Sequence, residues 1–569
     1  MSTFDHDYTL PALPIPELED TYQNLKKLIK PLVGRESMEE AFKALDAFAG
    51  TQGAKLQELL LQLAESDAAN DSWLRPIWDD VYLSFREMLP INMNYTFQFV
   101  SGRWGEDALP ALISALARII GKMRTESLPP ECARENFLSM DTAACMIYTR
   151  ISGKIRDILY YPPLSYAMTA SVVCKGHWFI LSLTDRQGNY LAPPAIASAL
   201  AKIRRQAESM GSAPLVGAAT CPGRELAAEL RELLQTSPRN RMNLERIEKS
   251  VFTACLDEPL GEKENFNLRL ITGVPENRWF DKSLQIISDG KNLGVNIEHS
   301  GCDASIWVYL LNQADELLKE SLPQDAGDAH IFPLVWDVSE VTRNKLQTAA
   351  EGYQTAVKKL LFGDRRIADI SKSRIKDMKC SPDAFVQLLY QVAFYRLTGR
   401  FGSVYEAVSA RGFYQGRTEC VRPVTEESVA FVRAFCEKKD KVDLTEKFHA
   451  ALQAHGERVR RAQKALGSER HMAGLSKMAQ IHDIPLPDIF STEGYETLRH
   501  DTLSTSSTTA SYIDFFSFGP VVEDGIGIGY GIKENAFHIA VSAYHNSAID
   551  PEKFIDEMER AAKMLYQLR

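Results

Sequence analysis

The chain has 569 residues, 45% of them hydrophobic and 25% charged, with a formal net charge of -10 at pH 7. That length allows two large domains with cores of their own, and no low-complexity tract departs from a globular composition. The negative balance argues against a general polyanion binder while leaving room for a local basic pocket, and no run of about 18 apolar residues suggests a membrane span.

The chain opens with Leu10-Pro11-Ala12-Leu13-Pro14-Ile15-Pro16, after which Leu18, Tyr22, Leu25, Leu28 and Ile29 recur at helical spacing. Asp5, His6 and Asp7 precede it without an arginine, unlike a secretory signal or transit peptide, so a cytoplasmic protein is expected. Further helices are predicted over 56–63, 73–85, 224–234 and 244–251. Ser171–Cys174 and His177–Leu181 read as paired strands turning at Lys175-Gly176. Lys282–Ile287 is a strand that Asp289-Gly290-Lys291 turns back into Gly294–Ile297, and His299 lies just beyond. A long helix is expected from Thr342 through Leu361. Ser381-Pro382-Asp383 then has the cap, first-position proline and acidic first turn of another. Residues 446–480 read as helical. Strands follow at 512–518, 525–530 and 536–544, and an amphipathic helix closes the chain at 551–568. Helices alternating with strands indicate an α/β protein.

Several segments invite chemistry. In Glu298-His299-Ser300-Gly301-Cys302-Asp303 a histidine that can take a hydroxyl proton has a carboxylate four residues on to orient its ring; an ordinary polar histidine is the alternative. Lys372 and Lys376 share one face if their stretch is helical, and suit a phosphate or a solvated surface. The glycines of Gly525–Gly531 fall in period two with no following Gly-Lys-Ser/Thr, so a strand approached closely by other chain is expected rather than a phosphate loop. Ser504–Thr509 reads as a polar turn or a site. The nine cysteines form no CxxC pair and no Cys/His zinc spacing, and no metal is expected.

Taken in order, these segments resemble the choline/carnitine acyltransferase family over nearly the whole chain. The resemblance rests on the proline-punctuated entrance, Arg150-Ile151-Ser152-Gly153-Lys154, Asn277–Lys282 and Glu298-His299-Ser300. It continues through Ser381–Phe385, Tyr405-Glu406-Ala407, Gly416-Arg417-Thr418-Glu419, Pro487–Phe490, Leu503–Ser506 and Phe518–Val522. One departure is Ala227, where the family often has tryptophan.

The resemblance implies two chloramphenicol-acetyltransferase-like domains, each a mixed sheet covered by helices, with an active-site tunnel between them. It divides the chain into a helical segment 1–72 packing with the C-terminal domain, a domain 73–339 carrying the catalytic histidine, and a domain 340–569. It implies His299 as catalytic base, Asp303 as the acidic residue near it and Ser506 as oxyanion donor. Lys372, Lys376 and Asp383 fall on the CoA side; Tyr405, Thr418, Arg470, Ser504 and Phe518 fall around carnitine; Phe516 closes the acyl pocket to all but short chains. Acyl-CoA and carnitine are then substrates, with no permanently bound cofactor, no nucleic acid partner and a monomer as the working expectation. Choline transfer is the nearest rival, disfavoured by Arg470 and Thr418; a catalytically silent CoA-binding module is the rival from another class. A cysteine hydrolase is less favoured, because no Cys/His arrangement accompanies Cys302.

Overall fold

The computed structural model describes residues 2–66, 72–144, 146–320, 322, 327–437, 441–508 and 510–568. In chain order the strands of its two large sheets are β1 (Tyr95–Phe99), β2 (Thr169–Cys174), β3 (His177–Ser182), β4 (Thr253–Leu256), β5 (Leu284–Ser288), β6 (Leu293–Ile297) and β7 (Ile331–Pro333). They continue with β8 (Leu360–Ile367), β9 (Val404–Ser409), β10 (Thr418–Val421), β11 (Leu503–Ser507), β12 (Ile513–Phe518), β13 (Ile526–Ile532) and β14 (Phe537–Tyr544). The first sheet runs β7-β3-β2-β4-β5-β6-β1-β12 and the second β8-β14-β13-β11-β9-β10. Both are mixed: β4 lies parallel to β2 and β5, and β11 parallel to β9 and β13.

The helices Ala108–Arg124, Pro193–Ser209 and Ala304–Lys319 cover one face of the first sheet, and Arg224–Leu234, Pro238–Lys249 and Glu340–Val357 the other. β5 and β6 are buried along their whole length, and their polar Gln285 and Asn296 are hydrogen-bonded there, Gln285 accepting from the Trp279 amide and Asn296 donating to the Leu270 carbonyl. The second sheet packs on Pro382–Thr398, Glu426–Cys436, Lys441–Gln463 and Pro551–Leu565. Each fully buried Leu, Ile or Phe in these cores contributes about 1.5–3 kcal/mol. Helices of residues 18–64 pack against Ser468–Ile481 and Glu493–Arg499, and His471 hydrogen bonds to Thr21 (2.7 Å) and Gln57 (2.6 Å). Ala227 is buried at the outer face of the first sheet.

The halves are stitched together by β12. It lies beyond residue 340, yet it pairs antiparallel with β1 at the edge of the first sheet, Tyr95 opposite Phe518 and Phe97 opposite Phe516. On its way it crosses β13, which explains two of the period-two glycines, Gly527 and Gly529. A Cβ on Gly529 would collide with the Phe516 carbonyl, and one on Gly527 would lie 2.8 Å from that of Gly519. The expected close approach to a glycine strand is therefore present.

Three stretches differ from expectation. The helix expected through Leu361 ends at Val357, and Leu360–Ile367 pairs along its whole length with β14. The helix expected over 446–480 is two, Lys441–Gln463 and Ser468–Ile481, broken where Ala465 takes a φ of 54° and Gly467 caps the second. Ser504–Ser507 belong to β11 rather than a turn; Thr509 lies outside the described residues.

Candidate active site

The β5–β6 hairpin delivers the loop that follows Ile297 to the meeting line of the two halves. Glu298, the first residue of that loop, is fully buried and accepts hydrogen bonds from the Tyr148 hydroxyl (2.7 Å), the Ser300 amide (3.0 Å) and hydroxyl (2.6 Å), and Arg150 (3.3 Å). Arg150 in turn donates to Asp157 (2.7 Å), which also receives Arg224 (2.6 Å) and Arg86 (2.7 Å), while Arg224 reaches Asp281 (2.7 Å). Buried charges survive only when paired and hydrogen-bonded. This network therefore stands or falls as a unit, and it clamps the loop that presents His299.

The His299 ring sits between two tyrosines, its centroid 5.4 Å from Tyr82 and 5.0 Å from Tyr95. Its Nδ1 lies 3.2 Å from the carbonyl oxygen of Cys302. A carbonyl can only accept, so Nδ1 carries the hydrogen and Nε2 keeps the lone pair a base requires. Burial lowers the histidine's pKa, opposed by the nearby Asp303 carboxylate, and so favours the neutral ring.

Here the structure corrects one expectation. Asp303 does not orient the ring: its nearest oxygen is 3.9 Å from Nδ1. Its carboxylate is taken by Arg417 in a two-pronged contact (3.0 and 3.1 Å), a geometry that Arg and carboxylate favour. Arg417 also donates to the carbonyls of Ser300 (2.8 Å) and His299 (3.2 Å), tying the loop to the second half of the chain. No role was assigned to Arg417 from the sequence. Its signal there was only its place in Gly416-Arg417-Thr418, because a contact across 114 residues leaves no local pattern.

The helix Arg75–Leu83 brings Trp78 and Tyr82 to the same place. Tyr82 and Trp78 lie under the Arg417 guanidinium at 5.1 and 5.4 Å, and Trp78 lies against Arg470 at 4.1 Å. Arg470 donates to the Tyr405 hydroxyl (2.9 Å) and the Thr418 carbonyl (3.3 Å), so the three residues grouped from the sequence meet. A phenol that accepts from a guanidinium turns its own proton outward, toward an acceptor. Burial pushes the Glu419 carboxyl beside this cluster up to about 7.

The other expected residues are placed as follows. Ser504 stands on β11 opposite Tyr405 of β9 and Ser506 opposite Gly529 of β13. Phe518 is half-buried at the end of β12, and Phe516 is 4% exposed among Tyr95, Phe97 and Phe518. Lys372 and Lys376 begin and end a five-residue helix, with Lys376 exposed and Lys372 3.9 Å from Glu534.

Asp383 opens the Pro382–Thr398 helix, where its carboxyl accepts from the Tyr530 hydroxyl (2.7 Å) and faces Glu406, itself bonded to His455 (2.8 Å). Burial pushes both carboxyls up to about 7; Glu406 adds to the rise at Asp383, whereas the hydrogen bond with Asp383 partly offsets the rise at Glu406. The donor atoms of Asp383, Glu406 and His455 lie within 4.8 Å of one another, a spacing that would also suit a cation, but they bond among themselves.

A neutral, half-buried histidine thus stands in a loop where two mixed sheets meet, with aromatic and cationic side chains around it. Residues 13–560 match the choline/carnitine O-acyltransferase family, and the chain belongs to that family. It is therefore a CoA-dependent acyltransferase whose acceptor is a hydroxyl. It is 30% identical over 572 residues to the choline O-acetyltransferase of Sus scrofa, covering 94% of this chain and 88% of that one. It is 29% identical to the peroxisomal carnitine O-octanoyltransferase of Bos taurus (100% and 97% covered) and 28% to the mitochondrial carnitine O-palmitoyltransferase 2 of Homo sapiens (99% and 92%). Among solved structures, a trichothecene 15-O-acetyltransferase from Fusarium sporotrichioides aligns over 87% of this chain and 94% of its own at 11% identity and a TM-score of 0.38. Among the described residues, no helix is long and apolar enough to cross a membrane.

Proposed function

We propose that this chain transfers a short acyl group, acetyl foremost, reversibly between CoA and the hydroxyl of carnitine. His299 Nε2 takes the hydroxyl proton, and the alkoxide attacks the thioester carbonyl carbon. The oxyanion of the tetrahedral intermediate receives a hydrogen bond from Ser506. Collapse breaks the carbon–sulfur bond, and the leaving thiolate recovers the proton from His299. Both substrates meet at one histidine, so no acyl-enzyme is needed. Asp303 acts as a positioning residue through Arg417.

The observation that carries the choice of carnitine is the Arg470–Tyr405–Thr418 group beside Trp78. Arg417 is paired in contact with Asp303, whereas Arg470 is met only at longer range by the carboxyls of Glu419 and Glu469, and burial favours the neutral form of Glu419. A carboxylate completes such a cluster and a bare choline cation does not. Phe518, with Ser504 nearby, takes the trimethylammonium side. Lys372 and Lys376 meet the 3′-phosphate of CoA, and Asp383 belongs to the CoA side. Phe516 limits the acyl pocket, supported by its place in the aromatic layer that reaches His299 through Tyr95. The same reading keeps 1–72, 73–339 and 340–569 as the three segments, and assigns the cytoplasm as compartment.

The test is release of CoA from acetyl-, octanoyl- and palmitoyl-CoA, each offered carnitine or choline. Acetyl-CoA with carnitine is the expected best pair, and a Phe516→Gly enzyme that folds is expected to move toward octanoyl-CoA. Palmitoyl-CoA as the best donor of the unaltered enzyme would remove Phe516 from this role.

A further inference from the structure

Tyr95 occupies a position that the mechanism above does not use. It is the first residue of β1, 2% exposed, with its ring edge-on to His299 at 5.0 Å and to Phe516 at 6.0 Å. Its strand neighbour across the sheet edge is Phe518. Tyr95, Phe97 and Phe99 alternate onto one face of β1, and Phe516 and Phe518 fall on the matching face of β12, so an aromatic layer extends from His299 along these two strands. Four of its five members are phenylalanines. The fifth carries an oxygen, and that hydroxyl is buried with no hydrogen-bond partner.

A buried polar group left unpaired costs free energy, and natural cores satisfy nearly all of them. A phenylalanine would fill the same space without that cost, as it does at the four positions around it. The hydroxyl's surroundings are the loop that carries the base: Glu298, Cys302, Asp303 and, across the halves, Arg417 are the charges and titratable groups that act on it. Burial raises both the phenol and the Cys302 thiol, so Tyr95 stays protonated and remains a donor.

We propose that Tyr95 is a specificity-determining residue of the acyl pocket, its hydroxyl receiving short acyl groups that carry a hydroxyl or oxo oxygen close to the thioester carbonyl. The proposal rests on His299 as the base, since that places the reacting carbonyl beside the ring Tyr95 touches. The partner must accept a hydrogen bond, be short enough to stop at Phe516, and be uncharged, because the charges near the hydroxyl are already paired, Arg417 with Asp303 and Glu298 with Arg150. A 3-hydroxyacyl or 3-oxoacyl thioester meets all three conditions, and a saturated chain of equal length meets only the last two.

The experiment compares kcat/KM for 3-hydroxybutyryl-CoA and butyryl-CoA, with carnitine saturating, in the unaltered enzyme and in Tyr95→Phe. Taking the ratio within each enzyme cancels any general loss of activity or of folded protein. One neutral hydrogen bond is worth about two- to tenfold. The unaltered enzyme is expected to favour the hydroxyacyl donor by that factor, and Tyr95→Phe to bring the ratio near one. The melting temperature of Tyr95→Phe is expected to be equal or higher, because an unpaired hydroxyl is removed. Phe516→Gly is expected to admit longer chains yet keep the hydroxyacyl preference, which separates the two residues. A ratio unchanged by Tyr95→Phe, or no preference in the unaltered enzyme while acetyl transfer proceeds, overturns the proposal and spares the proposed function. Absence of acyl transfer to any acceptor overturns both.

Discussion

At the scale of single residues, the account turns on a neutral histidine. Removing it should lower turnover about 10²–10⁴-fold, the usual weight of a general base; His299→Ala with near-normal turnover would exclude that role. Because burial lowers the pKa of His299, the acid limb of kcat/KM should fall at a pH below the ordinary histidine value of 6.5. Asp303 is foremost among the groups that raise it, ahead of the Cys302 carbonyl and Glu298. Asp303→Asn should move the limb lower still, since it leaves the Arg417 charge uncompensated near the ring. A limb that moves up would contradict the arrangement.

At the scale of elements, much was legible because the signals were local. The Lys175-Gly176 and Asp289-Gly290-Lys291 turns join strands much as expected, Lys175 and Gly176 both with positive φ. Ser381 caps its helix through the Ala384 amide. What escaped depends on partners distant in sequence. Leu360 and Leu361 continue a helical pattern, yet pairing with β14 overrides it. Glu298, Arg150, Asp157, Arg224 and Asp281 lie in four separate segments, and only folding shows them as one clamp.

The β12 crossing gives a test at this scale. Gly529→Ala should destabilise the protein by several kcal/mol, because its methyl would meet the Phe516 backbone and overpacking costs about 1–3 kcal/mol even where side chains can give way. An unchanged melting temperature would mean that β12 does not press on β13. The five-residue helix Lys372–Lys376 has a second. Losing either lysine should raise KM for acetyl-CoA more than for acetyl-dephospho-CoA. Equal losses would return the pair to ordinary surface.

At the scale of the whole molecule, the halves are joined by β12, by Arg417 on the His299 loop and by Arg470 on Trp78, so the site exists only where both meet. The second half also carries a titrating core. Asp383 and Glu406 have ordinary values of 3.8 and 4.5 and stand at about 7 when folded. Groups raised by folding contribute stability that is fully present below their unfolded values and is lost as pH rises through the folded ones. Together with Glu419, raised likewise to about 7, Asp383 and Glu406 should therefore make the melting temperature decline between about pH 4 and about pH 7, less the opposing share of His455 and His471, whose pKa values burial lowers. Glu406→Gln keeps the shape and removes one titration, so its decline should be shallower; a slope equal to that of the unaltered protein would contradict the burial argument.

The measurement closest to the central claim is kcat/KM for carnitine against choline, with acetyl-CoA saturating, in the unaltered enzyme and in Arg470→Asn. Arg470 organises Tyr405 and Thr418 and supplies the charge that a carboxylate needs. The account expects a strong carnitine preference, and a loss on carnitine of about 2 kcal/mol or more in the variant, with choline little affected. Choline used as well as carnitine by the unaltered enzyme, or equal losses on both acceptors in Arg470→Asn, would contradict it.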